Sequence, residues 1–256
     1  MKNYLVFGDA HVDPNFSTDH LKWIGKLIVD WQPDVIVDLG DFGEFGSLSD
    51  YDRGKKSFEK RRIYKDMEAC KGAQEVLNSP LEEYNKNKRK FKERQYKPRK
   101  IRLGGNHEGR IERFVQNNPE LDGLLSIDQL GYRKFGWEYV PYKQPIILDG
   151  VAYCHYFSSG VMGNPISGEY LAQTLLRRNH MSTTVGHSHL LKFAHDVDAN
   201  GNNLWGLSAG CCMAHTPEYA DGAKYWWRGV VKKHNVKNGD YDPEFVSLNK
   251  LEELYA

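Results

Sequence analysis

Polar side chains that bind metals in proteins follow short apolar segments at five places along the chain. They are Asp9 with His11, Asp41, Asn106 with His107, His155, and His187 with His189. Strand ends hold side chains on a rigid scaffold, while the loops that follow them leave access to solvent. The distribution therefore predicts one polar site that is built from several strand ends.

The spacing and the residue types indicate a site for transition metals. Asp9 and His11 are two residues apart, and in an extended segment both would face the same side. The same holds for His187 and His189. Imidazoles mixed with carboxylates suit zinc, iron, manganese or nickel, whereas magnesium or calcium prefers an oxygen-rich set. We therefore expect divalent transition-metal ions as cofactors.

The five groups differ in specificity. An aspartate after a strand is usually a turn residue or a helix cap, and a single histidine such as His155 is usually a hydrogen-bonded core residue. The sequences Gly-Asn-His-Glu at 105–108 and Gly-His-Ser-His at 186–189 are more specific, because each follows an apolar strand and supplies adjacent coordinating or acid–base groups. All five groups in this order are difficult to obtain by chance.

The order of these motifs over residues 8–189 resembles that of the calcineurin-like metallophosphoesterase superfamily, without a match to one subfamily. The resemblance implies a four-layer α/β sandwich of two mixed sheets flanked by helices, with a dinuclear metal centre at the strand ends. It also implies ligand sets for two ions that share a bridging aspartate. These sets are Asp9, His11, Asp41 and His189 for the first ion, and Asp41, Asn106, His155 and His187 for the second.

In such a centre two cations clamp a phosphate and lower the pKa of a bridging water, so that hydroxide attacks phosphorus in line. The resemblance implies that His107 is not a ligand and that its imidazole donates to the phosphoryl or leaving oxygen. We therefore expect a metal-dependent phosphoester hydrolase with two divalent ions. Manganese is the first candidate, with zinc, iron or nickel as alternatives.

One segment departs from the protein phosphatases of that superfamily. Gly40-Asp41 is followed by Phe-Gly-Glu-Phe-Gly at 42–46, without the Val-Asp-Arg-Gly that belongs there. Glu108 and Arg110 are similar to the phosphatase pattern, but they fit equally well a helix-start acid and a solvated base. A phosphoprotein substrate is therefore not favoured.

The elements that must position these groups alternate in the first half of the chain and are mostly strands in the second. Apolar segments at 4–7, 35–37 and 101–103 predict strands of a parallel sheet, with a helix between the first two. Hairpin turns are predicted at 149–150, 200–201 and 238–239, and a further helix at 168–179. We expect a single domain over 1–256, with two packed sheets and outer helices.

Residues 55–98 are the largest addition to a minimal fold of this kind. They are charged and nearly free of β-branched residues, which predicts a helical insertion or cap with a break near Ser79-Pro80. Because the insertion joins two strand ends, we expect it to project near the metal side. Its segment from Lys86 to Lys100 holds nine Lys or Arg residues and one acid, Glu93.

Two sets of residues are candidates for substrate binding. Arg94 and Lys97 could contact a phosphate backbone, although a solvated helix face explains the same charges. Tyr219 and Trp226 could stack a base, although core packing explains many such rings. The leading hypothesis is a phosphodiesterase or nuclease acting on nucleic acid or a nucleotide ester. The alternatives are a phosphomonoesterase for small molecules or phosphoproteins, and a non-catalytic scaffold, against which the complete ligand set argues.

The composition limits the class of protein. The 256 residues include 35 Lys and Arg and 34 Asp and Glu, and this formal net charge of +1 excludes a wholly basic nucleic-acid coat. Apolar runs of about five residues fall far short of the roughly 18–20 that span a bilayer. We expect a cytoplasmic protein with no membrane partner. The four cysteines show no metal-type spacing, and a homo-oligomer is left open.

Overall fold

Two large mixed β-sheets face each other in the computed structural model, which describes residues 1–50, 54–217 and 221–256. The α-helices are α1 (Asp19–Trp31), α2 (Ile63–Lys90), α3 (Gly109–Asn117), α4 (Leu171–Asn179) and α5 (Leu248–Tyr255). Short 3-10 segments lie at Gly46–Leu48, Lys56–Phe58, Pro119–Leu121, Ile127–Leu130, Tyr132–Phe135 and Asp221–Tyr225. Within the described ranges, no helix combines the length and the apolar character needed to cross a membrane.

The first sheet contains the parallel strands predicted from the first half of the chain. Its strands are β1 (Lys2–Phe7), β2 (Val35–Asp38), β3 (Arg99–Leu103), β4 (Trp137–Val140), β12 (Gly229–Lys237) and β13 (Asp240–Ser247). Their order is β13-β12-β1-β2-β3-β4, with β1 to β4 parallel and β12 antiparallel to both of its neighbours. The residues that follow β1, β2 and β3 therefore meet at one edge.

The second sheet is smaller and is also mixed. Its strands are β5 (Ile146–Leu148), β6 (Val151–Cys154), β9 (Thr183–Val185), β10 (Leu191–Val197) and β11 (Asn203–Ala209), and β7 (Ser158–Ser159) and β8 (Asn164–Pro165) form a separate small hairpin. The order is β10-β11-β9-β6-β5, with β9 parallel to both of its neighbours. The predicted hairpin turns are confirmed, because they join β5 to β6, β10 to β11 and β12 to β13.

Alternating side chains of β1 divide the core into layers. Tyr4 and Val6 point toward the second sheet and pack with Tyr153 of β6. Leu5 and Phe7 point the other way, into the cluster that holds the apolar faces of α1, α2 and α5. On the far side of the second sheet, α4 packs its apolar face against β9, β10 and β11. The predicted four-layer sandwich of two mixed sheets flanked by helices is confirmed.

The helix α2 runs through Pro80 without a break, so the predicted interruption near Ser79-Pro80 is wrong. A proline in a helix leaves the carbonyl four residues earlier without its usual donor. Here the Ser79 hydroxyl donates to that carbonyl, the Val76 oxygen, at 3.1 Å. A Cβ on Gly25 of α1 would lie 2.4 Å from the Leu77 oxygen and 2.9 Å from a Pro80 ring carbon. Close packing on α1 therefore stabilises the helix where its own hydrogen bonding is weakest.

The course of α2 determines where the basic segment Lys86–Lys100 lies. Near its start, Asp66 accepts hydrogen bonds from Ser47, close to the metal side. The chain then returns to the amino end of β3, where Arg99 donates its backbone N–H to the Asp34 oxygen at 3.0 Å. Since β2 and β3 are parallel, this is the edge opposite to the strand ends that carry Asp41 and Asn106. The expectation that the insertion projects near the metal side is therefore wrong for its basic segment.

Candidate metal centre

Backbone hydrogen bonds hold the loops after the strands together. The Asp9 N–H donates to the Gly40 oxygen at 2.8 Å, and the His11 N–H donates to the Asp41 oxygen at 3.0 Å. The Gly186 N–H donates to the His155 oxygen at 3.0 Å, which links the loops after β6 and β9. The His187 N–H donates to the Asp9 carboxylate at 2.9 Å, so the loops of both sheets form one surface at the carboxyl ends of their strands.

Five residues of this surface have a left-handed backbone. They are Asp9 (φ 54°), His11 (φ 45°), Asp41 (φ 50°), His187 (φ 65°) and His189 (φ 59°). Residues other than glycine rarely adopt this conformation, and it persists where the surrounding structure enforces it. Such backbone strain clusters at functional sites. Its concentration here supports a functional role for these strand ends.

The first group of potential ligands consists of Asp9, His11 and His189. The His189 Nε2 atom lies 3.3 Å from the Asp9 Oδ1 atom and 3.1 Å from the His11 Nε2 atom. Asp9 and His11 are almost fully buried. The Asp9 carboxylate also accepts the backbone N–H of His187 at 2.9 Å, so it is fixed from two sides.

The second group consists of Asp41, His155, His187 and Asn106. The His155 Nε2 atom lies 3.2 Å from the Asp41 Oδ2 atom, 3.3 Å from the His187 Nδ1 atom and 3.0 Å from the Asn106 Oδ1 atom. The His155 Nδ1 atom donates to the Leu39 backbone oxygen at 2.9 Å, which orients its Nε2 atom toward the group. All seven predicted ligands thus lie in these two neighbouring groups.

Asp41 lies between the two groups. Its Oδ2 atom is 3.2 Å from the His155 Nε2 atom and 3.8 Å from the His11 Nε2 atom. Its Oδ1 atom accepts the His107 backbone N–H at 2.8 Å. Burial alone would raise the pKa of Asp41, but the surrounding histidines outweigh it and hold this pKa well below the ordinary value. Asp41 is therefore a carboxylate in position to serve both groups.

The carboxylates also change the titration of the buried imidazoles. Burial lowers the pKa of His11, but the hydrogen bond and charge of Glu44, with the charges of Asp41 and Asp9, raise it to about 9. Burial likewise lowers the pKa of His155, and Asp41 is the main group that raises it to about 10. Both imidazoles therefore bind protons tightly in the ion-free protein. The same negative charge would attract a divalent cation in their place.

The donor set fits divalent transition-metal ions. Three overlapping groups each combine one carboxylate with two imidazoles, and the ligand atoms within each group lie within 4.8 Å of one another. They are Asp9–His11–His189, His11–Asp41–His107 and Asp41–His155–His187. Mixed imidazole and carboxylate donors of this kind suit zinc, iron, manganese or nickel.

His107 lies beside Asp41, at the edge of the two groups. Its Nδ1 atom donates to the Glu44 backbone oxygen at 2.7 Å, and its Nε2 atom is 3.9 Å from the Asp41 Oδ2 atom. The Arg110 Nη2 atom is 3.3 Å from the same Nε2 atom. Burial lowers the pKa of His107 to about 4 despite the nearby carboxylates, so the ring is neutral at neutral pH. Its Nε2 lone pair therefore accepts from the Arg110 guanidinium.

Glu44 is a site residue that the sequence analysis did not assign. Its Oε2 atom accepts the Nδ1 proton of His11 at 2.7 Å, which directs the His11 Nε2 atom toward Asp9 and His189. Burial alone would raise the pKa of Glu44, but His107, His11 and Arg110 lower it to about 2. A carboxylate behind a ligand histidine fixes the orientation and basicity of the ring. The only sequence signal was an acid three residues after Asp41.

Glu108 is buried and holds the Asp41 loop, so the interpretation of it as a helix-start acid was too simple. Its Oε2 atom accepts the backbone N–H groups of Asp41 and Gly105, at 3.0 and 2.9 Å. Its Oε1 atom accepts those of Phe42 and Gly43, at 2.8 and 3.1 Å. One carboxylate therefore joins the loops after β2 and β3.

Of the four residues predicted to contact substrate, the three that the structure describes lie in two different places. The Trp226 ring centroid is 4.4 Å from that of His189, with the ring planes at 90°. Tyr219 lies outside the described residues. Arg94 and Lys97 precede β3 and lie at the amino end of the parallel strands. The structure thus brings Trp226 to the candidate centre and places the two basic residues away from it.

Comparison with known proteins gives distant similarities. No protein-family model matches the chain. The chain is 27% identical to the Gene 54 protein of Mycobacterium phage L5 over 263 residues, covering 96% of this chain and 94% of that protein. The crystal structure of a predicted phosphoesterase from Streptococcus pneumoniae TIGR4 aligns with 97% of this chain and 90% of its own, at 9% identity and a TM-score of 0.37.

Proposed function

We propose that the protein is a metal-dependent phosphoester hydrolase with two divalent ions, and that it cleaves phosphodiesters of nucleic acid or nucleotides. The convergence of six ligand-type side chains around Asp41 carries this proposal. Asp9, His11 and His189 would hold one ion with Asp41. Asn106, His155 and His187 would hold the second with Asp41. When bound, two such ions supply positive charge for phosphate oxygens and lower the pKa of a water molecule.

The residues behind the ligands fix their geometry before any ion or substrate arrives. Glu44 orients His11, the Leu39 oxygen orients His155, and Glu108 fixes the backbone around Asp41. Preorganised dipoles in a site shielded from water contribute most of the electrostatic stabilisation in many enzymes. The function of this second layer is therefore to hold Asp41 and the imidazoles at a fixed separation.

His107 would handle the proton of the leaving group. Its Nδ1 atom is held by the Glu44 oxygen, so its Nε2 atom is the one that faces a phosphate at the cluster. In the complex, the negative charge of a phosphodiester beside the Nε2 atom would raise the pKa of the ring from about 4, and the Arg110 guanidinium would shift from the Nε2 atom to a phosphoryl oxygen, so that the imidazolium can form. It then donates its Nε2 proton to the leaving oxygen as the P–O bond breaks. Arg110, 3.3 Å from the same atom, adds positive charge for the phosphoryl oxygens.

Two features support a diester of nucleic acid or a nucleotide as the substrate. Trp226 offers an aromatic ring next to the ligand His189. The basic segment offers Arg94 and Lys97 to a long polyanion that continues past the opposite edge of the sheet. From Arg99 to Leu103 the strand covers about 13 Å, so only a polymer would reach both places.

Metal analysis and hydrolysis of defined esters test the proposal. The protein is freed of metal, reconstituted with manganese, zinc or nickel, and assayed for bound metal. It is then incubated with bis(4-nitrophenyl) phosphate, 4-nitrophenyl phosphate, and labelled single- and double-stranded nucleic acid. We expect two ions per chain and faster cleavage of the diesters than of the monoester. A preference for the monoester would support a phosphomonoesterase instead. No hydrolysis with any of the metals would support the non-catalytic scaffold.

A further inference from the structure

An aromatic pair that the metal centre does not use lies beside its Asp9 side. The rings of Phe16 and His215 are stacked, with centroids 4.0 Å apart and planes at 5°. Phe16 lies five residues after His11, in the loop that connects β1 to α1. Phe16 is 47% exposed although one face of its ring is covered by His215. The pair therefore presents a flat apolar surface to solvent.

Both partners of the pair are held in place by short-range contacts. The Phe16 N–H donates to the Asp13 oxygen at 3.2 Å, and the Ser17 hydroxyl accepts the Asp19 N–H at the start of α1. On the other side, the Arg228 Nη2 atom donates to the His215 oxygen at 3.2 Å. A surface that is rigid before binding loses little conformational entropy when a ligand stacks on it.

Hydrogen bonds place this pair next to the candidate centre. The Cys212 N–H, three residues before His215, donates to the Gly8 oxygen beside Asp9 at 2.8 Å. The Trp227 N–H donates to the His189 oxygen at 3.0 Å, so the segment with Trp226 borders the same side. Burial lowers the pKa of His215, and the charges of Asp13, Glu44 and His11 act on it in smaller measure. The pair is thus within electrostatic reach of two residues of the centre.

Resting on the proposed function, we infer that Phe16, backed by His215, is the platform on which the base of a nucleotide phosphodiester stacks while its phosphate lies at the metal centre. Every nucleobase has a flat face that stacks on an aromatic ring, and the sugar links that base to the phosphate. Stacking on Phe16 needs no base-specific hydrogen bond. It therefore selects nucleoside esters over alkyl esters without selecting one base.

Three diesters with the same leaving group test the platform. They are thymidine 5′-(4-nitrophenyl) phosphate, methyl 4-nitrophenyl phosphate and phenyl 4-nitrophenyl phosphate. We expect kcat/KM for the thymidine ester to exceed that for the methyl ester by roughly tenfold, within the range that one base–aromatic stack supplies. In Phe16→Ala this ratio falls to about one, and Phe16→Tyr restores it. The matched control is Phe91→Ala, an exposed phenylalanine after α2 at the other edge of the sheet, which keeps the wild-type ratio.

A binding measurement separates the platform from the chemistry. In saturation-transfer NMR with zinc-reconstituted protein and thymidine 5′-monophosphate, we expect the base protons to receive more saturation than the sugar protons, and Phe16→Ala to remove the difference. If no ester is hydrolysed, the proposed function fails, while this experiment still decides for or against the platform. Hydrolysis with an equal ratio in wild type and Phe16→Ala overturns the platform and leaves the hydrolase. A phenyl ester that equals the thymidine ester overturns the assignment to a nucleoside.

Discussion

The two ends of the parallel strands β1 to β3 hold charged residues in opposite ways. At the carboxyl end, Asp9, His11 and Asp41 are buried, and the His11 Nε2 atom lies 3.9 Å from the Asp9 Oδ1 atom and 3.8 Å from the Asp41 Oδ2 atom. At the amino end, the basic segment lines an open cleft of ≈ 960 Å³, and its charges pair with local acids in solvent. Lys88 contacts Glu93 at 2.5 Å, and Arg99 contacts Glu138 at 2.7 Å.

The difference in burial between the charges at the two ends of these strands indicates a different role for each end. Charges removed from water interact strongly and are already oriented, which is what stabilisation of a transition state requires. Exposed charges are screened by salt and contribute little to stability, but they attract a polyanion. Lys100 is an intermediate case, because burial lowers its pKa to about 8 while its Nζ atom donates to Asn78 and to the Phe135 oxygen. We therefore expect chemistry at one end and, at most, electrostatic binding at the other.

Asp41→Asn gives the largest expected effect. The change removes the shared charge from both groups while keeping an oxygen for the His107 N–H, so the loop is preserved. We expect the protein to fold, to lose ions from both positions, and to lose at least about 10⁴-fold in turnover, the upper end of what one acid–base group supplies. Elemental analysis and steady-state kinetics measure these losses. Two retained ions per chain with less than tenfold loss would contradict the shared role of Asp41.

His107→Ala separates proton transfer from metal binding at the same end. We expect both ions to be retained and turnover to fall by roughly 10²–10⁴-fold for an unactivated diester. The loss is smaller for a nitrophenyl ester, because its leaving group needs little protonation. Metal content and the two rates are measured side by side. Equal losses for both esters would exclude the proton-donor role.

The binding of metal should depend on pH through His11 and His155. Their pKa values in the ion-free protein are raised to about 9 and about 10, so both carry a proton at pH 7 that a metal must displace. We expect metal affinity to rise by up to roughly 100-fold per pH unit toward pH 9 and to fall as the pH decreases. Calorimetric titration in buffers of different ionisation enthalpy counts the released protons. Binding without proton release would contradict these raised values.

The same two histidines also determine the direction in which the stability of the ion-free protein changes with pH. Because their folded pKa values lie above the unfolded value of 6.5, their contribution is fully present below about pH 6.5. It is lost as the pH rises through about 9 to 10. Urea unfolding of the ion-free protein between pH 6 and pH 10 measures this contribution. A free energy of unfolding that increased between pH 6 and pH 10 would contradict the raised pKa values of His11 and His155.

Neutralising the basic segment gives the smallest expected effect. The variant replaces Lys90, Lys92, Arg94 and Lys97 by Gln, and we expect it to bind nucleic acid more weakly. The slope of the logarithm of the binding constant against the logarithm of the salt concentration becomes shallower by about 0.9 for each phosphate that the protein no longer neutralises. Hydrolysis of a small diester is unchanged, because that substrate reaches only the carboxyl end. A filter-binding salt series and a parallel assay measure both. Unchanged relative rates on long and small substrates would make the segment a solvated face.

Local patterns were sufficient to predict the strands and the grouping of metal-binding side-chain types at their ends. Short apolar segments ended by glycine and polar residues marked β1, β2 and β3, and Asp9, Asp41 and Asn106 follow directly from their ends. Glu44 and Glu108 were not assigned, because an acid near a motif gives no sign that it turns inward. Arg94 and Lys97 lie where they do because α2 carries the chain back to the amino end of β3. Pro80 does not end the helix because close packing on Gly25 and the Ser79 hydroxyl compensate for the missing hydrogen bond. Both depend on contacts between distant segments.

The left-handed backbone of the five residues of the candidate centre lowers the stability of the folded chain. Each non-glycine residue held in this region costs about 1–2 kcal/mol relative to its relaxed conformation, and glycine would release that cost. Selection for folding alone would therefore replace Asp9 or His189 by glycine. With an aspartate and a histidine at these positions, the ion-free fold is less stable than the same architecture would be with glycine there. Ions that bind only the folded chain would restore this stability by mass action, so the thermal stability of the protein would rise with the metal concentration.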